Sequence, residues 1–197
     1  MYLRILDTPS GGLEAAEGEM NAGGITRLRL MPASRLMIEL PDLIPTCPGL
    51  PDPYIDGRSI FQLEEGDFVD IDVIPKYASY SENLQTNPNG EYYQTQLQLV
   101  LPKDRPAVTA WIHRKRGIRW IALFRDRNGF NRLAGTQSHP LRMEVQGGTG
   151  TGDGQNARTL TFSANTPFPA LYVESLESQD LFANTEFDFA FSFDFNT

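Results

Sequence analysis

Five phenylalanines occupy every second position near the end of the chain: Phe187, Phe189, Phe191, Phe193 and Phe195 alternate with Asp188, Ala190, Ser192 and Asp194. A period of two puts all five rings on one side of an extended chain, whereas a helix would scatter them around its circumference. The period recurs at 93–101, where Tyr93, Thr95, Leu97, Leu99 and Leu101 oppose Gln94, Gln96 and Gln98. It recurs again at 69–73, with Val69, Ile71 and Val73 opposite Asp70 and Asp72. At 25–30, Ile25, Leu28 and Leu30 oppose Arg27 and Arg29, which predicts a strand with one wet face. A chain patterned in this way must fold mainly as β-sheet.

Further strands are expected at 35–40, 118–125, 130–134, 141–146, 158–164 and 168–174. Residues 58–63 and 66–74 read as a hairpin turning at Glu64-Glu65-Gly66, and Asp126-Arg127-Asn128-Gly129 reads as a second turn. Five prolines between 41 and 53 exclude a central strand there, because proline cannot donate to a sheet ladder. Two long segments, 9–24 and 77–92, read as exposed loops, the second alternatively as an extended hairpin arm. At about 104–116 the period changes: Val108, Trp111 and Ile112 share one helical face. Asp104 is placed to cap this helix, Pro106 suits its first turn, and Gly117 supplies a left-handed stop. Arg114, Lys115 and Arg116 sit at the negative end of its dipole. The expected architecture is one domain over 1–197, a mainly β sandwich or barrel with one flanking helix.

No run approaches the roughly 20 apolar residues of a membrane span, so no membrane partner is expected. The opening residues lack the pattern of a secretory signal, and the leading Met argues against a trimmed one. Cys47 is the sole cysteine, which rules out an internal disulfide and fits a reducing compartment. The net charge of -8 hides an asymmetry: residues 101–142 carry +8 and the remainder -16. That split predicts a molecule with two electrostatic faces, unless the basic block disperses on folding.

Chemistry finds little purchase. The glycine-rich stretch 147–154 lacks the Lys-Ser or Lys-Thr pair of a phosphate loop and reads as a hairpin tip. Asp126 and Asn128 lack the downstream carboxylates of a calcium loop. His113 and His139 have no cysteine neighbours for a zinc site. Asp70 and Asp72 share a strand face without an identifiable opposing group to split their proton affinities. Trp111 and Trp120 flank basic residues as in a nucleic-acid platform, but helical spacing turns Trp111 to the core and net acidity opposes phosphate. No enzyme, cofactor or metal is expected.

Over 117–170 the chain runs GIRWIALFRDRNGFNRLAGTQSHPLRMEV and then TGTGDGQNARTLTFSANTPFPA. A strand, an Asp-x-Asn-Gly turn, a strand ending Ala-Gly-Thr, then Pro-Leu-Arg, a glycine-rich loop and Asn-x-Arg-x-Leu-Thr-Phe follow in order. This resembles the tail-tube and related ring-forming virion proteins of long-tailed bacteriophages, as does the early Gly-Gly-Ile-Thr-Arg-Leu-Arg-Leu at 23–30. The resemblance implies a tail-tube-type β-sandwich or barrel that closes into rings, commonly hexameric. Such rings stack around a lumen that passes double-stranded DNA without specific binding. It further implies contact with other tail proteins, assembly in the host cytoplasm and residence in the virion.

On that resemblance Asp70, Asp72, Asp188 and Asp194 are expected to face the lumen and repel phosphate. Tyr80, Asn83, Asn89 and Tyr92, in or beside the long loop, are expected to contact a neighbouring ring or subunit, with Arg114, Lys115 and Arg116 docking on acidic edges. Deleting 79–90 is then expected to spare the fold and abolish stacking. Two alternatives stand beside this one: a neck, terminator or baseplate ring protein of the same fold, and a carbohydrate-binding, adhesin-like sandwich using Tyr77, Tyr80, Tyr92 and Tyr93 as stacking platforms.

Overall fold

A computed structural model describes residues 21–41, 52–56, 59–62, 68–88, 90–148 and 156–174. In chain order the strands are β1 (Ile25–Pro32), β2 (Leu36–Ile38), β3 (Tyr54–Asp56), β4 (Ile60–Gln62), β5 (Val69–Asp72), β6 (Ala78–Asn87) and β7 (Gly90–Pro102). A single helix among the described residues, α1 (Pro106–Arg114), precedes β8 (Arg119–Asp126), β9 (Asn131–Ala134), β10 (Leu141–Gly148), β11 (Ala157–Thr166) and β12 (Leu171–Glu174). The protein is mainly β with one flanking helix, its principal sheet curled into an open half-barrel. The alternating strand at 187–195 and the loop at 9–20 lie outside the described residues.

Strand β8 organises the fold because both of its faces are buried. Trp120, Ala122 and Phe124 point into one apolar cluster with Leu28, Leu30, Leu97, Leu99, Leu160 and Phe162. Ile121 and Leu123 point into a second with Met31, Leu36, Ile55, Leu133 and Leu171. This explains the near-continuous apolar run WIAL, which alternation alone would not produce. On one side β8 pairs with β1; on the other it pairs with β9 and, through Leu141 and Arg142 only, with β10. The sheet therefore branches. One arm runs β9–β12–β3, the other β10–β11–β7–β6. The second arm curls back until the Tyr80 ring of β6 lies 4.7 Å from that of Phe124. Between β5, which pairs with β1 alone, and β6 the half-barrel stays open, bridged by a tight turn at Pro75–Tyr77. Gly24 fits against that turn: its φ is +111°, and a Cβ there would stand 2.4 Å from the Pro75 carbonyl oxygen.

Several expectations change on contact with the structure. Arg29 is not on a wet face; it is 4% exposed, because the second cluster covers that side of β1. Segments 58–63 and 66–74 do not pair with each other: β4 joins β2 in a separate two-stranded sheet, whereas β5 joins β1. Residues 78–87 and 90–102 form a continuous ten-pair hairpin ladder, so the segment at 77–92 is the arm rather than the loop. Deleting 79–90 would thus remove a paired strand and the Tyr80 ring that packs on Phe124, not a separate loop. Asp104 does not cap α1, whose N-cap is Arg105 with no side-chain bond; its carboxylate instead meets Arg158 Nε at 2.8 Å. That bond holds the Asp104 pKa below the ordinary carboxylate value. Gly117, with φ +84°, ends the helix turn as its sequence position indicates. Trp111 is half-buried and stacks on the buried Trp120 at 6.3 Å, which seats α1 over the end of the first cluster.

Candidate assembly surface

The β6–β7 arm carries two chemically opposite faces. Toward the inside of the curl, Ala78 and Tyr80 stand opposite Leu99 and Leu97, and Glu82 opposite Thr95. Buried deepest, Leu97, Leu99 and Thr95 join Leu160 and Phe162 of β11 in the core. Toward the outside, Ser79, Ser81, Asn83 and Gln85 of β6 align with Gln98, Gln96, Gln94 and Tyr92 of β7. The rows continue through Thr161, Ser163 and Asn165 of β11 to Glu144 and Arg142 of β10. Four strands thus present a carpet of hydroxyls and amides, with charge only at its β10 margin.

Strand β6 ends the sheet. It pairs with β7 and with no other described strand. Edges of this kind can template the addition of another chain, and proteins blunt them with lysine, proline, a bulge or an inward-pointing charge. The β6 sequence, ASYSENLQTN, contains neither lysine nor proline, and its register with β7 is unbroken. Its one charged side chain, Glu82, turns inward, accepting the Tyr80 hydroxyl at 2.5 Å and the Ala170 amide at 3.4 Å. Burial, then the Glu82 carboxylate, push the Tyr80 pKa far above the ordinary phenol value. Leu84 and Ile74, beside the seam, are each about half exposed.

The expected site residues separate accordingly. Asn83 is exposed on the outer face, and Tyr92 lies half-buried on the same face, opposite Gln85. Tyr80 is corrected: its ring packs on Phe124 and its hydroxyl on Glu82, so it is a core group and offers a neighbour little. Asp70 is corrected in part. Its carboxylate accepts both the Nε and Nη2 of Arg29, at 2.5 and 2.7 Å, and the cation cancels the charge meant to repel phosphate. Asp72 stands opposite Arg27 in the β1–β5 ladder. Asp188, Asp194 and Asn89 lie outside the described residues. Arg114 and Arg116 are exposed at the end of α1, while Lys115 is half-buried and donates its backbone N–H to Trp111 O.

The basic block does not make one patch. Arg119 faces Arg142 at one end of β8, and Arg125 faces Arg27 at the other, roughly 20 Å away at strand rise. Arg132 lies instead among rings, its guanidinium 4.5 Å from the Tyr172 centroid and 5.9 Å from Tyr80. Sequence reasoning missed these cross-strand arginine pairs, because register is invisible until partners are known. It also missed the β6 edge. The period-two signal was present in Ala78, Tyr80, Glu82 and Leu84 against Ser79, Ser81, Asn83 and Gln85, but polar residues on both faces muted it.

The four tyrosines of a sugar platform are not assembled. Tyr80 points inward, Tyr92 and Tyr93 lie on opposite faces of β7, and the Lys76 ammonium covers the Tyr77 ring at 4.7 Å. A recess lined by Thr95, Thr136, Thr166 and Phe168 holds about 10 Å³, the room of a single water. No protein-family model, curated protein or solved structure matches this chain.

Proposed function

We propose that the protein is a structural subunit that self-associates edge to edge into rings, and that those rings stack as the tail tube of a long-tailed phage. One observation carries the assembly step: the ten-residue strand β6 ends the described sheet beside an open seam, with no second described strand paired to it. A lone subunit with such an edge invites uncontrolled pairing, and closure around a ring removes the hazard. The outer carpet of β6, β7 and β11 supports the channel role. Strong phosphate binding rests on lysine and arginine contacts, and this face presents serine, threonine, asparagine and glutamine instead. A duplex can pass such a surface without sticking.

Negative-stain microscopy of the purified protein across a concentration series tests the proposal. Rings that stack into tubes are expected. Rings that never stack would move the subunit to a neck, terminator or baseplate position, and a lone subunit at every concentration would refute the proposal. Ser81→Lys with Asn83→Lys should abolish rings while leaving thermal unfolding unchanged, because both side chains are exposed on the edge strand.

A further inference from the structure

Strands β8 and β10 share a ladder of only two register pairs, Trp120 with Leu141 and Arg119 with Arg142. Trp120 and Leu141 both sink into the first apolar cluster, so the period of two turns the next pair together to the opposite face. The packing that buries an indole and a leucine therefore sets two arginines side by side, their Cβ atoms about 5 Å apart. Both residues are exposed, and neither guanidinium has a hydrogen-bond, ion-pair or ring partner among the described residues. Like charges placed directly opposite weaken a ladder rather than support it. The other arginine pair differs, because Arg27, facing Arg125, also stands opposite Asp72. Glu144, the acid of β10, lies two positions on, opposite Thr161, and forms no ion pair with either arginine.

From this pair a single cross-strand row runs through Ser163 of β11 and Gln96 of β7 to Ser81 of β6, along the outer polar face. Five strands at sheet spacing put Arg119 about 19 Å from Ser81 along the sheet, so both cations stand at one end of a neutral row. We propose that Arg119 and Arg142 receive a carboxylate of a second copy of this chain and so set the register of the contact between copies. The inference rests on the ring-forming reading and names the chemical group that the neighbour brings. The pair lies at the far end of the row from β6, so a ring closing through both would use two different surfaces of each subunit. A guanidinium fork matches a carboxylate in shape and charge, and two forks side by side strengthen the match. A second copy is rich in the complement: outside residues 101–142 each chain carries a charge of -16. A nucleic-acid backbone is the weaker fit, since two cations on a chain of net charge -8 neutralise too few phosphates to hold it.

Arg119→Glu tests this, because it sets a carboxylate opposite Arg142 within the same chain and satisfies the pair internally. Rings of the full-length protein are counted by negative-stain microscopy across a concentration series, and thermal unfolding is followed on protein diluted below ring formation. The variant should need about tenfold more protein to form rings, while its unfolding midpoint should hold or rise. Arg142→Gln should act in the same direction, and added salt should weaken parent rings more than those of either variant. An unchanged ring-forming concentration in both variants, with parent rings present, overturns the proposal and leaves the ring-forming reading standing. A lowered midpoint also overturns it, since the arginines would then serve the subunit's own fold. Retention of labelled duplex DNA by the parent, lost in Arg119→Glu with rings unaffected, overturns it in favour of a phosphate occupant. A parent that stays a lone subunit at every concentration overturns both the proposal and the ring-forming reading.

Discussion

Removing the Asp70 carboxylate should destabilise the protein more than removing the arginine it serves. Arg29 is buried, its side chain 5% exposed, while the Asp70 side chain is 62% exposed. Asp70→Ala leaves a guanidinium beneath the second cluster without its two charge-assisted bonds, each of a kind worth about 1.5–3 kcal/mol. Water reaches the Asp70 side and replaces part of that loss, so the expected cost is about 2 kcal/mol. For a chain of this size the unfolding midpoint should fall by about 4–8 °C. Arg29→Met keeps an apolar stem in the core and returns an exposed carboxylate to water. It forfeits the contact of Arg29 with the Phe68 ring at 5.5 Å, and should cost about 1 kcal/mol or less. Urea unfolding followed by tryptophan fluorescence reads both, because Trp120 is fully buried. The double variant should resemble Arg29→Met alone. If Arg29→Met proved as costly as Asp70→Ala at equal m, the lost bonds to a buried guanidinium would not be the source of the cost, and the reasoning would fail.

Trp111→Ala should remove the stacking that seats α1 on Trp120 and cost about 2 kcal/mol, with loss of helical ellipticity before global unfolding. Unchanged stability would show that the helix is held elsewhere. Tyr80→Phe should cost about 1 kcal/mol at neutral pH and also flatten the alkaline limb of the stability profile. The folded state keeps the phenol proton where the unfolded chain releases it, so this contribution is complete below about pH 10 and declines above it. Parallel alkaline slopes for variant and parent would contradict the assignment. Gly24→Ala should be worse than Gly90→Ala although both residues have positive φ, because the added methyl meets the Pro75 carbonyl only at Gly24. Equal midpoints for the two would remove the close-approach argument.

The sequence made the strands legible where one face is wet and the other dry. Residues 93–101 show this best: Thr95, Leu97 and Leu99 are buried and the intervening glutamines exposed, as their alternation indicates. It failed where both faces are covered. Arg29 looked wet because charge normally marks solvent, whereas the β5 carboxylate across the ladder helps to make its burial tolerable. It failed also for pairing. Strands 60–62 and 69–72 are neighbours along the chain, yet each finds a distant partner, since β1 offers β5 a long apolar edge and β2 takes β4. The charge block misled for the same reason: residues 119 and 125 are close in sequence but point outward at opposite ends of one strand.

What the fold adds to the functional argument is a separation of stability from assembly. The described members of the first apolar cluster come chiefly from β1, β6, β7, β8, β9, β10 and β11, and those of the second chiefly from β1, β8, β9, β12 and β3. Among the described residues, neither includes a side chain of the outer carpet. The β6 residues facing outward, Ser79, Ser81, Asn83 and Gln85, are all exposed and contribute nothing to either cluster. The inner face of this strand is fixed by the Tyr80–Phe124 contact and by Glu82, which accepts from Tyr80 and Ala170. Substitutions confined to the outer side of β6 should therefore change assembly and leave the subunit's unfolding untouched, whereas those on its inner side should do the reverse.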